Sequence, residues 1–570
     1  MKKHYETHVE DTDKLISVAG PILEYKSWYE QYRKLMEEQA QRKYGLYTPT
    51  SEGDDDDFPS ITGMIARYSA LGLTNEQMAE NPVWKDLTGN DHDLQMKNFA
   101  WKGMSGVGGY GDENYQTFYK FTLDDYVFIA NPPGVEHMNF TFRVTGLQPG
   151  NKLTLAFFGT TNTVYGTWDK DGIYTVDADI VEAGKPTYFY NGYGATRGEF
   201  TIEILPLYPG ALVFDGVDDY GVCENFPILT KEKGYTVVAL RQWLTPETKT
   251  INEVLLGNFR NNAVWVGANL GAFQFEVRYN VSKTVQVDSF GIGNYVTLNN
   301  NYLLSYQISN SYNGSVLRVG SNVGGNFFTV GCGGDQFYSN VAIWELVFLD
   351  HDATEEELTK IKDYFVKTYP WLFPDQAWTV TGKTNEDEDR ATIANITGNG
   401  DDLVLSNFGF IEGSGYNKEG EYAGYLVTDG VDDKITSSIF EMGNDWTVIG
   451  DWEFINTGKK DNAGIVKFDS IVIYNYNPIL INIKNGRNNL IPDQNTVNAI
   501  CSDGRIYSKD WKESIYNEET ESTSKNFLTI GYSGNSYTKI AFKNLAIYPT
   551  VLSKEDCIKA YNYLQTLKAK

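Results

Sequence analysis

The sequence predicts a mainly β protein, with two sandwiches in tandem, a small β-sandwich inserted in the first, and an α-helix before them. Three observations support this fold class. Aromatic residues make up 14% of the 570 residues and glycines number 54, which is typical of pleated, half-buried surfaces joined by tight turns. Several short blocks occur twice, in the same order. Between two of them, the first copy carries extra residues with strand-like alternation.

The internal repeat predicts the two large sandwiches. The blocks return at offsets of 309, 214 and 200 residues along the chain. The repeated blocks are Thr88–Asn90 with Thr397–Asn399, Asp215–Asp219 with Asp429–Asp433, and Asn326–Gly331 with Asn526–Gly531. Each copy closes with a predicted strand and a helix that begins at Thr354 or Ser553. An acidic residue three positions later resembles a capping box.

A change of offset predicts the inserted sandwich. The offset falls from 309 to 214, so the first copy carries 95 extra residues between Phe99 and Asp215. Alternating segments in this stretch predict strands. They lie at 139–144, 153–158 and 199–205. The predicted boundaries are 61–112 plus 209–372 for the first sandwich, 113–208 for the insertion and 373–570 for the second sandwich.

Residues 1–60 are predicted to attach or oligomerise the chain. Apolar and aromatic residues recur at three- and four-residue steps over 21–44, which predicts an amphipathic helix. One helix cannot bury such a wide stripe alone, so it docks on its own domain or on a partner chain, and the sequence favours neither. The run Asp54–Asp57 that follows reads as a solvated acidic linker.

Composition disfavours several classes of protein. The net charge of −27 repels phosphates, so we expect no nucleic-acid partner. The four cysteines have no CxxC spacing, which predicts buried or free thiols, although a pair between Cys223 and Cys332 stays open. Neither a signal-like apolar region near the N-terminus nor an apolar run of about 18 residues occurs. We therefore expect no membrane insertion, and a chain that is made and kept in a cytoplasm or leaves it by a route other than secretion.

Two parts of each copy are similar to a known family. Leu212–Tyr220 with Tyr235–Val237 resembles the opening strands of laminin G-like, concanavalin A-like domains. Ile540–Tyr548 with Val551–Glu555 resembles their last strand and helix. The similarity covers about 210–368 and 425–567. It implies that both large sandwiches are jelly rolls, and it implies little about function.

The leader blocks resemble a second group of proteins. Thr88–Trp101 and Thr397–Phe410 are similar to blocks in virion proteins of crAss-like bacteriophages of gut Bacteroides. The resemblance implies a head or tail fibre or appendage in the virion, partnered by other virion proteins, homo-oligomeric, and in contact with host surface polysaccharide. The alternatives are a purely structural virion protein without a ligand and, less favoured, a glycan hydrolase.

The sequence predicts no enzyme. Glucanases of this fold carry a Glu-x-Asp-x-x-Glu strand that supplies nucleophile and general acid. The nearest pattern, Asp177–Glu182, begins with Asp and lies in the insertion. On a regular strand Asp177 and Asp179 share one face while Glu182 points to the other. The five histidines show no metal or triad spacing, so no catalytic residue is assigned.

The repeated Asp-Gly-Val-Asp-Asp blocks have two interpretations. Their carboxylates offer hard oxygen ligands, so calcium is possible, and some members of the resembled family hold calcium at a loop-lined edge. The favoured interpretation is a turn in which Asp215 and Asp429 cap backbone N–H groups. No metal ligand or other cofactor is assigned.

Candidate glycan-binding residues are aromatic, because sugar C–H faces stack on exposed rings. The candidates are Trp101, Trp168, Trp265 and Trp344, with Tyr110 in a similar glycine-rich stretch. Trp344 aligns with Lys543 of the second copy, so we expect it to be exposed. Tyr235 and Phe327, whose equivalents Trp446 and Phe527 are also aromatic, are expected in the core.

Overall fold

The computed structural model describes residues 57–569 apart from several internal segments. Those segments are 111–117, 122–125, 130–136, 149, 158, 160–161, 182–186, 192–198, 228, 230–233, 245–251, 258–273, 282–283, 289–303, 309–326, 333–337, 399, 421, 441–442, 456–463, 469–470, 475–478, 484–486, 492–496, 509–510, 516–525 and 534–535. The chain divides into two compact units, Met1–Asp54 and Asp55–Lys570. The predicted helix at 21–44 lies outside the described residues.

The first sandwich consists of two antiparallel sheets. One sheet has the spatial order β19 (Leu304–Ile308), β15 (Thr236–Trp243), β21 (Asn340–Leu349), β13 (Leu212–Asp215) and β4 (Gly106–Val107), with β1 (Met64–Ser69) also paired to β21. The other has the order β18 (Thr284–Asp288), β17 (Gln274–Val281), β16 (Asn252–Gly257), β20 (Phe328–Val330), β14 (Tyr220–Cys223), β3 (Leu94–Lys97) and β2 (Val83–Trp84). Buried aromatic side chains from both sheets form one core.

The second sandwich repeats this arrangement. One sheet has the order β25 (Gly415–Tyr416), β26 (Leu426–Val427), β39 (Ile540–Tyr548), β28 (Thr447–Phe454), β33 (Val497–Cys501), β34 (Arg505–Ser508) and β35 (Glu513–Ile515), with β22 (Gln376–Thr379) paired to β39. The other has the order β23 (Thr392–Ile393), β24 (Leu403–Ser406), β27 (Lys434–Phe440), β36 (Asn526–Ile530), β29 (Gly464–Phe468), β30 (Ile471–Tyr474), β31 (Ile479–Ile483) and β32 (Arg487–Ile491). A short ribbon joins β37 (Tyr532–Ser533) to β38 (Ser536–Tyr537).

Strand pairing matches between the two large sandwiches. The closing strand β21 pairs with β1, β13 and β15, and the closing strand β39 pairs with β22, β26 and β28. Strand β4 pairs with β13 as β25 pairs with β26. The sequence repeat is therefore a repeat of topology.

A smaller sandwich lies between β4 and β13 in the chain. One sheet has the order β10 (Gly172–Asp179), β7 (His137–Thr145), β12 (Phe200–Leu205) and β5 (Phe118–Phe121). The other has the order β6 (Tyr126–Ile129), β11 (Thr187–Asn191), β8 (Leu153–Phe157) and β9 (Thr163–Trp168). Phe142, Leu155 and Phe189 lie in its core. The mainly β fold class is confirmed.

The helices among the described residues are short, and two of them are capped as the sequence predicts. They are α1 (Asn75–Glu80), α2 (Glu355–Thr368) and α3 (Lys554–Thr566), with a 3₁₀ turn at Pro370–Leu372. Thr354 and Glu357 form a full capping box at α2, and Ser553 accepts the Asp556 N–H at α3. Both predicted caps are confirmed. Among the described helices, none is long and apolar enough to span a membrane.

One buried core joins the three sandwiches. Ile173 of the inserted sandwich, Trp344 of the first and Tyr548 of the second belong to it, together with apolar residues of α2, α3 and the connection 369–373. The Tyr548 hydroxyl donates to the Trp371 carbonyl at 3.0 Å. The sandwiches share interior surface and are not separated by a solvated linker.

Candidate binding rims

The same two loops meet at one end of each large sandwich. In the first, the loop 98–105 between β3 and β4 lies beside the turn 215–219 between β13 and β14. In the second, the loop 407–414 lies beside the turn 429–433. We call these pairs rim 1 and rim 2.

Each turn is closed by its own aspartates. In rim 1, Asp215 Oδ1 accepts the Val217 N–H at 2.7 Å, and Asp219 Oδ2 accepts the Asp215 N–H at 3.1 Å. The equivalent bonds of rim 2 measure 2.7 and 2.8 Å. The glycine after the first aspartate has φ of +75° or +76°, a conformation that favours glycine. The expected capping role of the aspartates is confirmed.

The loop is tied to the turn by side-chain hydrogen bonds. In rim 1, Asn98 Nδ2 donates to the Asp218 carbonyl at 3.0 Å. Ser105 Oγ accepts the Ala100 N–H at 2.8 Å and donates to Asp219 Oδ1 at 3.0 Å. The matching bonds of rim 2 are Asn407 to Asp432 at 2.9 Å and Gly409 to Ser414 at 2.8 Å. The two rims thus share the asparagine bond to the turn and the serine bond within the loop, while the serine bond to the last aspartate is found in rim 1.

An aromatic residue in a strained conformation lies in each loop. Trp101 has φ of +54° and Phe410 has φ of +51°, a region that bulky side chains rarely adopt. Trp101 stacks on Phe99 with ring centroids 4.7 Å apart, and the Arg390 guanidinium lies 5.0 Å from the Phe410 ring centroid. Strain of this kind concentrates at functional sites, and here it is present in both copies.

Exposed aliphatic side chains complete the rims. Val217 is 70% exposed and its equivalent Val431 is 71% exposed, although each follows a turn glycine where a polar residue would be ordinary. Rim 2 adds Ile411, which is 64% exposed, where rim 1 has the exposed Lys102. Each rim therefore combines a half-buried ring, an exposed aliphatic group and carboxylates.

The last aspartate of each turn is a buried acid. Burial, reinforced by the Asp215 carboxylate, raises the pKa of Asp219 to about 7. Burial raises the pKa of Asp433 to about 6. Near neutral pH these carboxyl groups exchange between charged and neutral forms.

The same aspartates are the residues that could hold a cation. Carboxylate oxygens of Asp215, Asp218 and Asp219 lie within 4.8 Å of one another, as do those of the equivalent triad in rim 2. Hard oxygen donors suit calcium. Since Asp215 and Asp219 already accept backbone N–H groups, the described contacts explain the triad as a turn without an ion.

The sequence candidates are distributed over the molecule. Trp101 lies in rim 1. Trp168 lies in the inserted sandwich, half-buried, with its ring 4.9 Å from Phe142 in an edge-on contact. Tyr110 packs against the same core. Trp265 lies outside the described residues.

The expected exposure of Trp344 is wrong. Trp344 has no exposed surface, and its Nε1 donates to the Pro209 carbonyl at 2.9 Å. Its ring makes an edge-on contact with Tyr563 of α3. The equivalent Lys543 is also buried, with Nζ 5.6 Å from the Tyr425 ring centroid. The outer face of this sheet is covered by other parts of the chain, so Trp344 cannot present a ring to a ligand.

Two further expectations concern strand residues. Strand β10 ends at Asp179, and Glu182 of the glucanase-like pattern lies outside the described residues. Tyr235 and Trp446 are buried in the cores as expected. Phe327 is only partly buried, and the neighbouring Phe328 fills the core position.

Part of each rim was not predicted from the sequence. Phe410, Ser105 and Ser414 were not singled out, and neither was the exposure of Val217 and Val431. The signal was present in the 309-residue offset, which pairs Trp101 with Phe410 and Ser105 with Ser414. Composition alone could not show that these residues meet the acidic turn.

Comparison with known proteins identifies no family for the chain. No protein-family profile and no curated protein sequence matches the chain. Among solved structures, Trypanosoma rangeli sialidase in complex with sialic acid matches with a TM-score of 0.26 and 9% identity, over 40% of this chain and 41% of that one. Domain 4 of a GH43 extracellular arabinanase from Geobacillus stearothermophilus, in complex with arabinotriose, matches with a TM-score of 0.21 and 10% identity, over 33% and 98% of the two chains. The binding domain of botulinum neurotoxin serotype D matches with a TM-score of 0.22 and 10% identity, over 61% and 90%.

These matches correct one expectation. The sequence predicted no enzyme, yet a sialidase and a domain of an arabinanase are among the similar structures. The exclusion of glycan-active chemistry is therefore withdrawn. At this level of identity and TM-score the matches transfer no activity to the chain. The chain spans 41% of the length of the sialidase chains that it matches.

Proposed function

We propose that the chain is a bacteriophage virion appendage protein that contacts host surface polysaccharide through its two rims. The observation that carries the proposal is the repetition of one rim in both sandwiches, down to the strained aromatic residue. A scaffold needs no exposed aliphatic residue at a turn, whereas a sugar-binding surface uses rings and aliphatic groups beside hydrogen-bonding carboxylates.

The virion assignment rests on the leader blocks. Thr88–Trp101 and Thr397–Phe410 resemble blocks of crAss-like phage virion proteins, and each block ends at its rim. Other virion proteins and further copies of the chain are the partners we propose, with residues 1–60 as the attachment segment. The place of action is the virion, after synthesis in the host cytoplasm.

A purely structural virion protein is the second candidate. One observation favours it: the three sandwiches share a continuous buried core, as expected of a rigid spacer. This candidate predicts that no polysaccharide binds to the rims.

Glycan binding by the full chain tests the proposal. The purified protein is applied to an array of capsular and cell-wall polysaccharides from gut bacteria, with and without EDTA. Saturable binding is expected, and the double variant Trp101→Ala/Phe410→Ala should bind at least tenfold more weakly, equivalent to about 1.4 kcal/mol. Ile515→Ala is the control, because it removes an exposed apolar side chain that lies outside the rims.

Each other result has a defined meaning. If the double variant still binds polysaccharide, the binding site lies outside the rims. Absence of binding to every polysaccharide supports the structural candidate. Loss of binding in EDTA assigns a cation to the acidic turns, and release of shorter glycan products shows an enzyme.

A further inference from the structure

Two cysteines face each other where α3 packs on the second sandwich. Cys501 ends β33 and Cys557 lies in the first turn of α3, and neither side chain is exposed. Their thiol groups are hydrogen-bond partners. Both belong to the core that joins the three sandwiches.

The backbone around the pair is well fixed. Cys501 is paired with Thr447 in the register of β28 and β33. Thr447 Oγ1 donates to the Thr550 carbonyl at 2.9 Å and accepts the Leu552 N–H at 2.9 Å. The Cys557 N–H donates to the Ser553 carbonyl at 2.8 Å. Strand and helix are thus held at the positions that bring the two sulfur atoms together.

The two thiols have different chemical character. The hydrogen bond from Cys557 and the positive charge of Arg505 lower the pKa of Cys501. Burial raises the pKa of Cys557. Because the thiolate is the reactive form, Cys501 is the attacking sulfur.

We propose that Cys501 and Cys557 form a disulfide under oxidising conditions and thereby fasten α3 to β33. With glutathione disulfide as oxidant, the Cys501 thiolate attacks one of its sulfur atoms and expels the first glutathione thiolate. Cys557 then attacks the Cys501 sulfur of the mixed disulfide and expels the second. The two thiol protons end on the two glutathione molecules, which also receive the two electrons.

The disulfide would stabilise the joint between the sandwiches. It closes a loop of residues 501–557, and a loop of that length restricts the unfolded chain substantially. The bond would form after the chain leaves a reducing compartment. This inference is independent of whether the rims bind glycan.

Peptide mapping of the oxidised full-length protein tests the inference. The protein is incubated with glutathione disulfide in urea just below its unfolding transition, so that the buried thiols become accessible, and is then alkylated and digested. The expected product is a peptide pair linked through Cys501 and Cys557, lighter by two hydrogen atoms. The thermal midpoint should rise on the order of 5 °C and fall again with reductant.

Two variants separate this linkage from other effects. Cys557→Ala should remove both the linked peptides and the rise in the thermal midpoint. Cys223→Ala, in the first sandwich, should keep both. Complete alkylation of Cys501 and Cys557 after oxidation overturns the inference. So does a midpoint that rises equally in Cys557→Ala.

Discussion

Asp219 is a carboxyl group without exposed surface that hydrogen-bonds both the turn and the loop of rim 1. Its folded-state pKa of about 7 lies above the value of 3.8 that is usual for a free aspartate side chain. The folded state therefore holds a proton that the unfolded state has lost. The contribution of Asp219 to the free energy of unfolding is therefore fully present below about pH 4. It is lost as the pH rises toward and through 7.

Asp219→Asn should flatten this pH dependence. The amide can imitate the neutral acid, accepting the Asp215 N–H and donating to Ser105 Oγ. Relative to the wild type, the variant should gain stability between pH 5 and pH 8, on the order of a few kcal/mol. Urea unfolding at the two pH values measures the difference. Asp218→Asn, at an exposed position of the same turn, is the control and should keep most of the slope.

Trp344 offers a second test at the level of one residue. Its ring is fully buried between Tyr208 and Tyr563, so Trp344→Ala should cost about 3–5 kcal/mol of unfolding free energy. An exposed tryptophan would cost little. Denaturant unfolding compares it with Val217→Ala, which removes an exposed side chain and should change stability by less than about 0.5 kcal/mol.

Contacts between elements can be tested at Arg143. This residue of β7 donates to Glu203 of β12 at 3.1 Å and to Glu555 of α3 at 3.0 Å, so it links the inserted sandwich to the second one. Burial raises the pKa of Glu203, and the nearby Glu555 adds to this effect. Without the guanidinium the two carboxylates repel each other, so Arg143→Ala should destabilise the protein by about 1–3 kcal/mol.

A double-mutant cycle isolates the contribution of this contact. Arg143→Ala, Glu555→Ala and the double variant should give a coupling free energy of about 1 kcal/mol or more. The exposed pair Lys360 and Glu356 on α2 is the matched control and should give below about 0.5 kcal/mol. Equal coupling in both pairs would mean that the bridge does not hold the sandwiches together.

Elements with local signals could be predicted, and contacts between elements could not. The repeat, the closing strand Ile540–Tyr548 and the Thr354 cap are encoded in short stretches, and the structure reproduces them. Alternation along β21 distinguishes the two faces of a strand, but it carries no information on what covers the outer face. Trp344 was expected in solvent because it aligns with Lys543, although α3 packs over it. The meeting of Trp101 with the Asp219 turn likewise depends on strand pairing over more than a hundred residues.

At the scale of the whole molecule, the shared core fixes the two rims relative to each other. No solvated linker separates the large sandwiches, and Tyr369, Trp371 and Tyr548 are buried between them. If the rims bind glycan as proposed, their separation is constant. A ligand that reaches both must present the same epitope at a regular spacing, as a repeating polysaccharide does.

Bivalent binding should therefore appear as avidity for long chains. A polymer should bind the wild type about 10²-fold or more tightly than one of its repeat units, because the second contact is intramolecular. Trp101→Ala alone should reduce polymer affinity to nearly that of the repeat unit, and so should Phe410→Ala alone. Calorimetry with the repeat unit should give two sites per wild-type chain and one per single variant. If each single variant kept the avidity for the polymer and the repeat unit filled only one site in the wild type, one rim would suffice and the second copy would serve only the architecture.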